Sequence, residues 1–537
     1  MSPAVLIDAL VLLAYFGGIV GIGLYAGRQN RDLREFALGG RSIPWWAVLA
    51  SIIAAETSAA TFLGAPAEGF KHRGFIYGQL VIGTVLARIV IAFTFIEPYY
   101  RYRVQSIYEF LAVRFGNRTK NTASGIFLFT RVLGIGVRLY LGGVIIAVLW
   151  RHFFPESPIS WVTYFWGILF VTVVTTFYTM IGGIKAVIWT DVIQACLMMG
   201  SIVFAIGLVL SRVGGLGAVE TALGGWDKIV WVQSGWDSTK PFGAALRGML
   251  EMDYTLFAAF IGATFLTMAT HGTDQDMVQR MLTAKDYKKS RLSLILSGLA
   301  DIPIVLCFLS VGILLWVYYT KSGLPQVGGR DIPHNEIFAH FIVNDMPVGL
   351  RGLIIAGVFA TMMGSTSAAL NALATSFTKD FYLPYINRNA TDQQTVFTAR
   401  LATAVFGALM VGVATLAAYA VLEDPTLTII PIALGVMGYT YGALLGVFLI
   451  GMLTRTRGSD RANIVAMVLG MVAVLFVCKV NLPGVIDFGV FMPTWWPKIS
   501  FPWFVLVGCT VTVSVGLLFR TPAEQIEKAT AHVGAPT

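Results

Sequence analysis

Glu56 stands in the middle of an apolar run, PWWAVLASIIAAETSAATFLGAPAEGF (residues 44–70), beside Ser51, Thr57, Ser58 and Thr61. A second run, RGLIIAGVFATMMGSTSAALNALATSFTKDFY (residues 351–382), carries Thr361, Ser365, Thr366, Ser367, Asn371, Thr375 and Ser376. Hydroxyl and carbonyl oxygens are hard ligands, the kind a sodium ion needs. Small residues and hydroxyls are equally what tightly packed membrane helices place at their contacts, so composition alone leaves both readings open. Gly17-x-x-x-Gly21 and Gly23-x-x-x-Gly27 are read as such contacts. Glu56, Arg88, Arg131, Arg138, Asp191 and Asp301 are ionisable residues at membrane depth. Each costs on the order of 2.5–3.5 kcal/mol on insertion scales unless paired or hydrated. Arg131 and Arg138 are seven apart and share one helix face, with Gly134 leaving room between them. Such residues make internal ion pairs or line a solute or ion pathway. The expectation is a charge pair between Glu56 and Arg138 (or Arg131) across a cavity. An anionic solute would then take over the arginine, with Ser58 and Thr61 holding its other oxygens.

The elements that must position these side chains are set by composition. The chain has 537 residues, 56% hydrophobic and 12% charged, with a mean hydropathy of +0.74. Soluble domains carry about 25% charged residues, so the apolar surplus faces lipid. About 20 apolar residues span a bilayer as a helix. Thirteen such stretches are read at 5–26, 44–69, 75–100, 123–150, 161–181, 187–211, 253–272, 292–320, 351–378, 396–420, 427–452, 463–480 and 501–519. The fold class is therefore all-α and polytopic. The first stretch lacks a positive leader and a small-residue cleavage site, so it is read as a retained span. Cys196, Cys307, Cys478 and Cys509 fall inside spans and read as small apolar packers.

The net charge of +9 does not point to nucleic acid. With the N-terminus outside and spans alternating, about 23 of the 38 Lys and Arg residues fall in cytoplasmic loops and about 12 outside. The charge is thus a topology signal, and it places the C-terminus inside the cell in an inner membrane. No chemistry of an enzyme is legible: His271 has no partner at metal-binding spacing.

Four segments carry a resemblance to a known family. FYTMIGGIKAVIWTDVIQ (residues 177–194) is the most specific, and QSIYEFLAVRFG (105–116), QDMVQRMLTAKD (275–286) and GVMGYTYGALLGVFLIGMLTRT (435–456) follow in family order. From about residue 5 to about 460 the chain resembles the sodium/solute symporters. These include sodium/glucose, proline, iodide, multivitamin, monocarboxylate and sialic acid cotransporters. The resemblance implies the LeuT-type fold, two inverted repeats of five helices with the first helix of each unwound at mid-membrane. The repeats would be 44–211 and 253–456. An extra N-terminal span (1–27), two C-terminal spans (457–519) and a cytoplasmic tail (520–537) would flank them. It implies sodium-coupled symport of a small organic solute by alternating access, with Na⁺ as coupling ion and no cofactor.

Family ligands carry over by position. The main sodium site falls on Ala54 and Thr57 at the break and on Thr361, Gly364 and Ser365. Gly364 replaces a hydroxyl that many members have. A second sodium would use Asp191 and Ser367, with Ala368 in place of a further hydroxyl. The positions around a sugar ring in hexose members match Thr61, Thr267, Leu299 and Leu434, and the exit-gating tyrosine matches Thr270, beside His271. Sugar hydroxyls left unpaired there would cost roughly 1–3 kcal/mol each. In the sialic acid type the carboxylate is held by residues matching Ser58, Thr61 and Gln79. Its arginine falls on Gly134 here, between Arg131 and Arg138. A carboxylate solute, with Glu56, Arg138, Thr267, Thr270 and His271 lining its site, is the resulting expectation. Proton coupling through Glu56 or Asp191, and a membrane sensor on the same scaffold, stay open as alternatives.

Overall fold

Apolar segments become helices in a bilayer because each backbone N–H must find a carbonyl within its own segment. The computed structural model describes residues 3–28, 32–154, 160–327, 330–423, 429–482 and 486–534. In chain order its helices are α1 (Pro3–Gly27), α2 (Leu33–Leu38), α3 (Trp45–Glu56), α4 (Ala59–His72), α5 (Val81–Thr94), α6 (Ile96–Arg101) and α7 (Tyr108–Arg114). There follow α8 (Asn117–Phe153), α9 (Trp161–Val213), α10 (Leu216–Leu223), α11 (Phe242–Glu251), α12 (Ala263–Gly272), α13 (Gln275–Met281) and α14 (Tyr287–Ser322). The last are α15 (Ile337–Asp345), α16 (Leu350–Phe377), α17 (Asp392–Glu423), α18 (Ile429–Leu453), α19 (Ala462–Val477), α20 (Phe504–Leu517) and α21 (Ala523–Gly534). Strand pairing among the described residues is confined to two antiparallel ladders of two residues a side, at 326–331 and 481–487.

Among the described residues, eight helices are long and apolar enough to cross a membrane, and the bent pair α3–α4 makes a ninth. Helix α9 runs for 53 residues, roughly 80 Å at the helical rise, more than twice the hydrocarbon thickness of about 30 Å. It breaks at Gly183 (φ 56°, ψ −153°). Only glycine fits there, since a Cβ would also stand 2.7 Å from the Phe36 carbonyl oxygen. The stretches read from the sequence at 161–181 and 187–211 both lie on α9, one on each side of that break. Helices α19 and α20 are apolar but shorter.

Helix α16 is the centre of the molecule: 94% of its most apolar window is buried, against 11% for α1. It packs on α9, α8, α17, α1 and α3. Its hydroxyls therefore face protein and cavity, not lipid. The glycine readings on α1 divide. A Cβ on Gly23 or Gly27 would collide with Tyr178 or Ile181 of α9, whereas Gly17 and Gly21 have nothing within 4 Å and make no such contact. Cys196 also departs from expectation: it is exposed, while Cys478 and Cys509 are buried packers.

The long connection between α10 and α12 folds back over the bundle. The Phe75 amide donates to the Val230 carbonyl at 2.9 Å, the Phe75 ring stacks on Trp231, and the Gln233 amide donates to Gln79 Oε1 at 3.2 Å.

Candidate functional site

The run that begins at Pro44 folds as two helices bent by 66°. Helix α3 ends where the Thr57 amide bonds the Ile53 carbonyl, and Thr57 and Ser58 are extended before α4 begins. Thr57 and Ser58 suit such a joint, because short hydroxyl side chains favour caps over helix interiors. The last carbonyls of α3, Ala54 among them, have no helical donor and are free for another partner.

Helix α16 crosses this break. A Cβ placed on Gly364 would lie 3.3 Å from the Ala54 carbonyl oxygen, 2.9 Å from Gln194 Oε1 and 3.5 Å from Asp191 Oδ1. Both side-chain oxygens are buried and accept no hydrogen bond within the described protein. The neighbouring hydroxyls spend their protons on their own helix: Thr361 on Val358, Ser365 on Thr361 and Met362, and Ser367 on Gly364. That leaves their lone pairs available. Oxygen acceptors without donors, gathered from three helices, are what a desolvated sodium ion requires. The structure thus brings Ala54, Gly364 and Asp191 together, and adds Gln194, which the sequence reading missed. Its signal was present, since Gln194 stands three residues after Asp191 in the most specific family segment and so shares its helix face. The amide oxygen of Gln194 stands where a residue-364 hydroxyl would reach, which accounts for a glycine there.

Two ion networks flank the break. In the first, Arg88 is fully buried and pairs with Glu56 and with Asp301 at 2.8 Å, and donates to Ser297 at 3.0 Å. Gly298 makes room for its side chain, since a Cβ there would come within 2.9 Å of the Arg88 Cδ. His271 Nε2 lies 3.5 Å from Arg88 and 3.7 Å from Glu56, with Nδ1 3.0 Å from Thr270 Oγ1. In the second network, Arg131 bridges Asp274 at 3.0 Å and Asp276. The Tyr441 hydroxyl donates to Asp274 at 2.6 Å. Arg280 reaches Asp276 and Asp191, and Ser51 donates to Asp191 at 2.6 Å. This network ties α3, α8, α9, α13 and α18 together.

These contacts correct the expected charge pair. Glu56 pairs with Arg88, and Arg131 pairs with two aspartates, so neither arginine of α8 meets Glu56. The reason is geometric: Arg88 lies on the neighbouring α5, fully enclosed, and reaches Glu56 and Asp301 at once. Arg280 is fully buried. Asp276 and Arg280 were legible only as part of the family segment at 275–286, and Asp274 stands one residue before it.

Arg138 is different. Its recorded contact is Met437 Sδ at 3.5 Å, and no carboxylate among the described residues lies within ion-pairing distance. Ser58 Oγ and Thr61 Oγ1 stand 3.5 Å apart, as do the hydroxyls of Thr84 and Thr267. Gln79 is 5% exposed and its amide nitrogen has no partner. Leu299 belongs elsewhere: with Leu292 and Ile302 it forms an exposed stripe on α14, opposite the buried Ser297, Gly298 and Asp301. The side chain of Leu434 lies outside the described residues.

Three comparisons bear on this geometry. Residues 36–470 match the Sodium:solute symporter family. The sodium/sialic acid symporter of Aliivibrio fischeri is 30% identical over 471 residues, 87% of this chain and 86% of that protein. The human sodium-coupled monocarboxylate transporter 1 is 27% identical over 463 residues, 84% of this chain and 69% of that protein. Among solved structures, a Na⁺-coupled sialic acid symporter in a substrate-bound outward-open state superposes with a TM-score of 0.76. It covers 95% of this chain and 97% of that one at 24% identity.

Proposed function

The chain belongs to the sodium:solute symporter family, and from that premise we propose that it carries a small carboxylate into the cell, with Arg138 as the carboxylate's counter-ion. It is a multi-pass membrane protein of the LeuT-type fold and a sodium-coupled transporter, not an enzyme. Sodium is its coupling ion.

The observation that carries the solute reading is Arg138 itself. A guanidinium at membrane depth without a carboxylate costs several kcal/mol in part, about 2.5–3.5 kcal/mol on insertion scales, and a carboxylate solute removes that cost. Ser58, Thr61 and the unpartnered amide of Gln79 supply further donors, with Thr267, Thr270 and His271 on the facing helix. The names of the similar sialic acid and monocarboxylate transporters agree with an acidic solute. Sodium binds where Ala54, Thr57, Thr361, Gly364 and Ser365 meet, helped by Gln194. A second ion would use Asp191 and Ser367. With three aspartates against two arginines, the Asp191–Arg280–Asp276–Arg131–Asp274 network carries one surplus negative charge, which a cation offsets. Release to the cytoplasm requires this network to part, since it bolts α13 to α3, α8 and α9.

One sodium ion crossing about 100 mV releases about 2.3 kcal/mol, and a tenfold gradient adds about 1.4 kcal/mol. Together these concentrate a solute of zero net charge several-hundredfold, whereas a monoanion carried with one sodium moves no net charge and is driven by the gradient alone, about tenfold. Purified protein in liposomes with an imposed sodium gradient tests the proposal: uptake of carboxylates should follow sodium, and uptake driven by a pH gradient alone would refute it. In the same assay Ser365→Ala and Gln194→Ala should each raise the sodium concentration for half-maximal uptake about tenfold, as the loss of one ligand worth about 1.4 kcal/mol requires. Unchanged sodium dependence in both would show that the ion binds elsewhere.

The repeats are placed at 44–211 and 253–456, with thirteen crossings, the N-terminus outside and the C-terminus in the cytoplasm of an inner membrane. The excess of loop Lys and Arg on one side supports this orientation. A phosphatase reporter fused at residue 525 should be inactive and a cytoplasmic reporter active; the reverse would invert the topology.

A further inference from the structure

Charge in the central cavity is arranged in two poles on different helices. At the first, one guanidinium, Arg88, is shared by two carboxylates, Glu56 and Asp301. The two carboxylates outnumber the guanidinium by one. Arg88 is fully buried and the Asp301 side chain is 11% exposed, but that of Glu56 is 28% exposed. Glu56 engages Arg88 and His271 through Oε2, which leaves Oε1 for another partner. The surplus charge is therefore presented at Glu56. At the second pole, Arg138 carries one positive charge with no carboxylate. Helix α8 packs on α4 beside the break, where a Cβ on Gly142 would stand 3.2 Å from the Ala59 Cβ, and Arg138 lies one turn before Gly142 on that face, so both poles border the same break.

A simple anion satisfies Arg138 and leaves Glu56 in surplus, and a neutral polyol satisfies neither. The coupling ion does not resolve this, because the network that reaches the sodium position has its own extra carboxylate and the position its own unpartnered oxygens on Asp191 and Gln194. We propose that the solute is a zwitterion whose carboxylate sits on Arg138 and whose protonated amine or quaternary nitrogen sits against Glu56. The inference rests on the carboxylate reading above and narrows it to amino acids and betaines.

The test uses the full chain in liposomes with an inward sodium gradient. Labelled α-, β- and γ-amino acids and glycine betaine are compared with the matched carboxylates in which hydrogen or hydroxyl replaces the amine. The wild type should prefer the zwitterion of its best pair by at least about tenfold, or about 1.4 kcal/mol. Glu56→Gln should remove that preference, because one charged contact is lost and Arg138 is untouched. Asp301→Asn lies deeper, leaves Arg88 and Glu56 balanced, and should abolish the preference in the same way; it serves where Glu56→Gln reaches the membrane poorly. Equal or better uptake of the deaminated carboxylates by the wild type overturns the zwitterion proposal alone. So does an unchanged preference in the variants. Sodium-driven uptake of none of these carboxylates, charged amine or not, overturns the carboxylate reading and this proposal together.

Discussion

Arg88→Met is expected to leave little folded protein in the membrane. The substitution keeps an unbranched apolar stem and removes the one cation shared by Glu56 and Asp301. Two carboxylates then face each other across a site with no other strong cation, and Ser297 loses its donor. Removing one partner from a buried ion pair costs about 3–5 kcal/mol, and this guanidinium serves two pairs. Native proteins have only about 5–15 kcal/mol to lose. Detergent-solubilised protein should therefore run as aggregate on size exclusion, or melt far below the wild type. The charge argument also predicts a rescue. Arg88→Met combined with Glu56→Gln and Asp301→Asn removes every charge of the cluster and should restore a monodisperse peak, though not transport. If the triple variant is no more stable than Arg88→Met, the loss comes from packing along Gly298 rather than from stranded charge.

Arg138→Ala should behave in the opposite manner. Arg138 has no carboxylate to strand, and what it gives up within the protein is a contact with Met437. The variant should express, run and melt like the wild type. Its uptake of carboxylates should fall by at least about 30-fold, the lower end of the 2–5 kcal/mol measured when one partner of a buried charge pair is truncated. Arg138→Lys should recover part of the activity with a raised KM, since an ammonium keeps the charge but not the forked geometry. A stable Arg138→Ala protein that still transports a carboxylate at the wild-type rate would remove Arg138 from the solute site. The two arginines look alike in sequence; the contrast in these results follows only from which of them has acidic neighbours.

That contrast marks the division between sequence and structure in this protein. Lipid imposes a strong one-dimensional rule, so runs of about 20 apolar residues and the bias of Lys and Arg between loops are legible without coordinates. The break near Glu56 was legible for a related reason: a carboxylate and hydroxyls in mid-span are tolerated only beside a cavity or a neighbouring helix. The four segments that resemble the family were legible because their residues are contiguous; that Asp191, assigned by the resemblance to a separate site, stands beside Ala54 and Gly364 was not. Pairing of charges was not legible. Glu56 had Arg88, Arg131 and Arg138 available at comparable depth, and the choice depends on helix order and rotation about each axis, which hydropathy does not encode. The enclosed site of Arg88 between Ser297, Gly298 and Asp301 decided for that residue. Asp274 and Asp276 took Arg131, and Arg138 was left with no carboxylate among the described residues. Gln194 follows the same logic. Its type and spacing were visible, but that its amide oxygen fills the place of the hydroxyl missing at Gly364 is a matter of ångströms between two helices, and only the packing of α9 on α16 sets that distance.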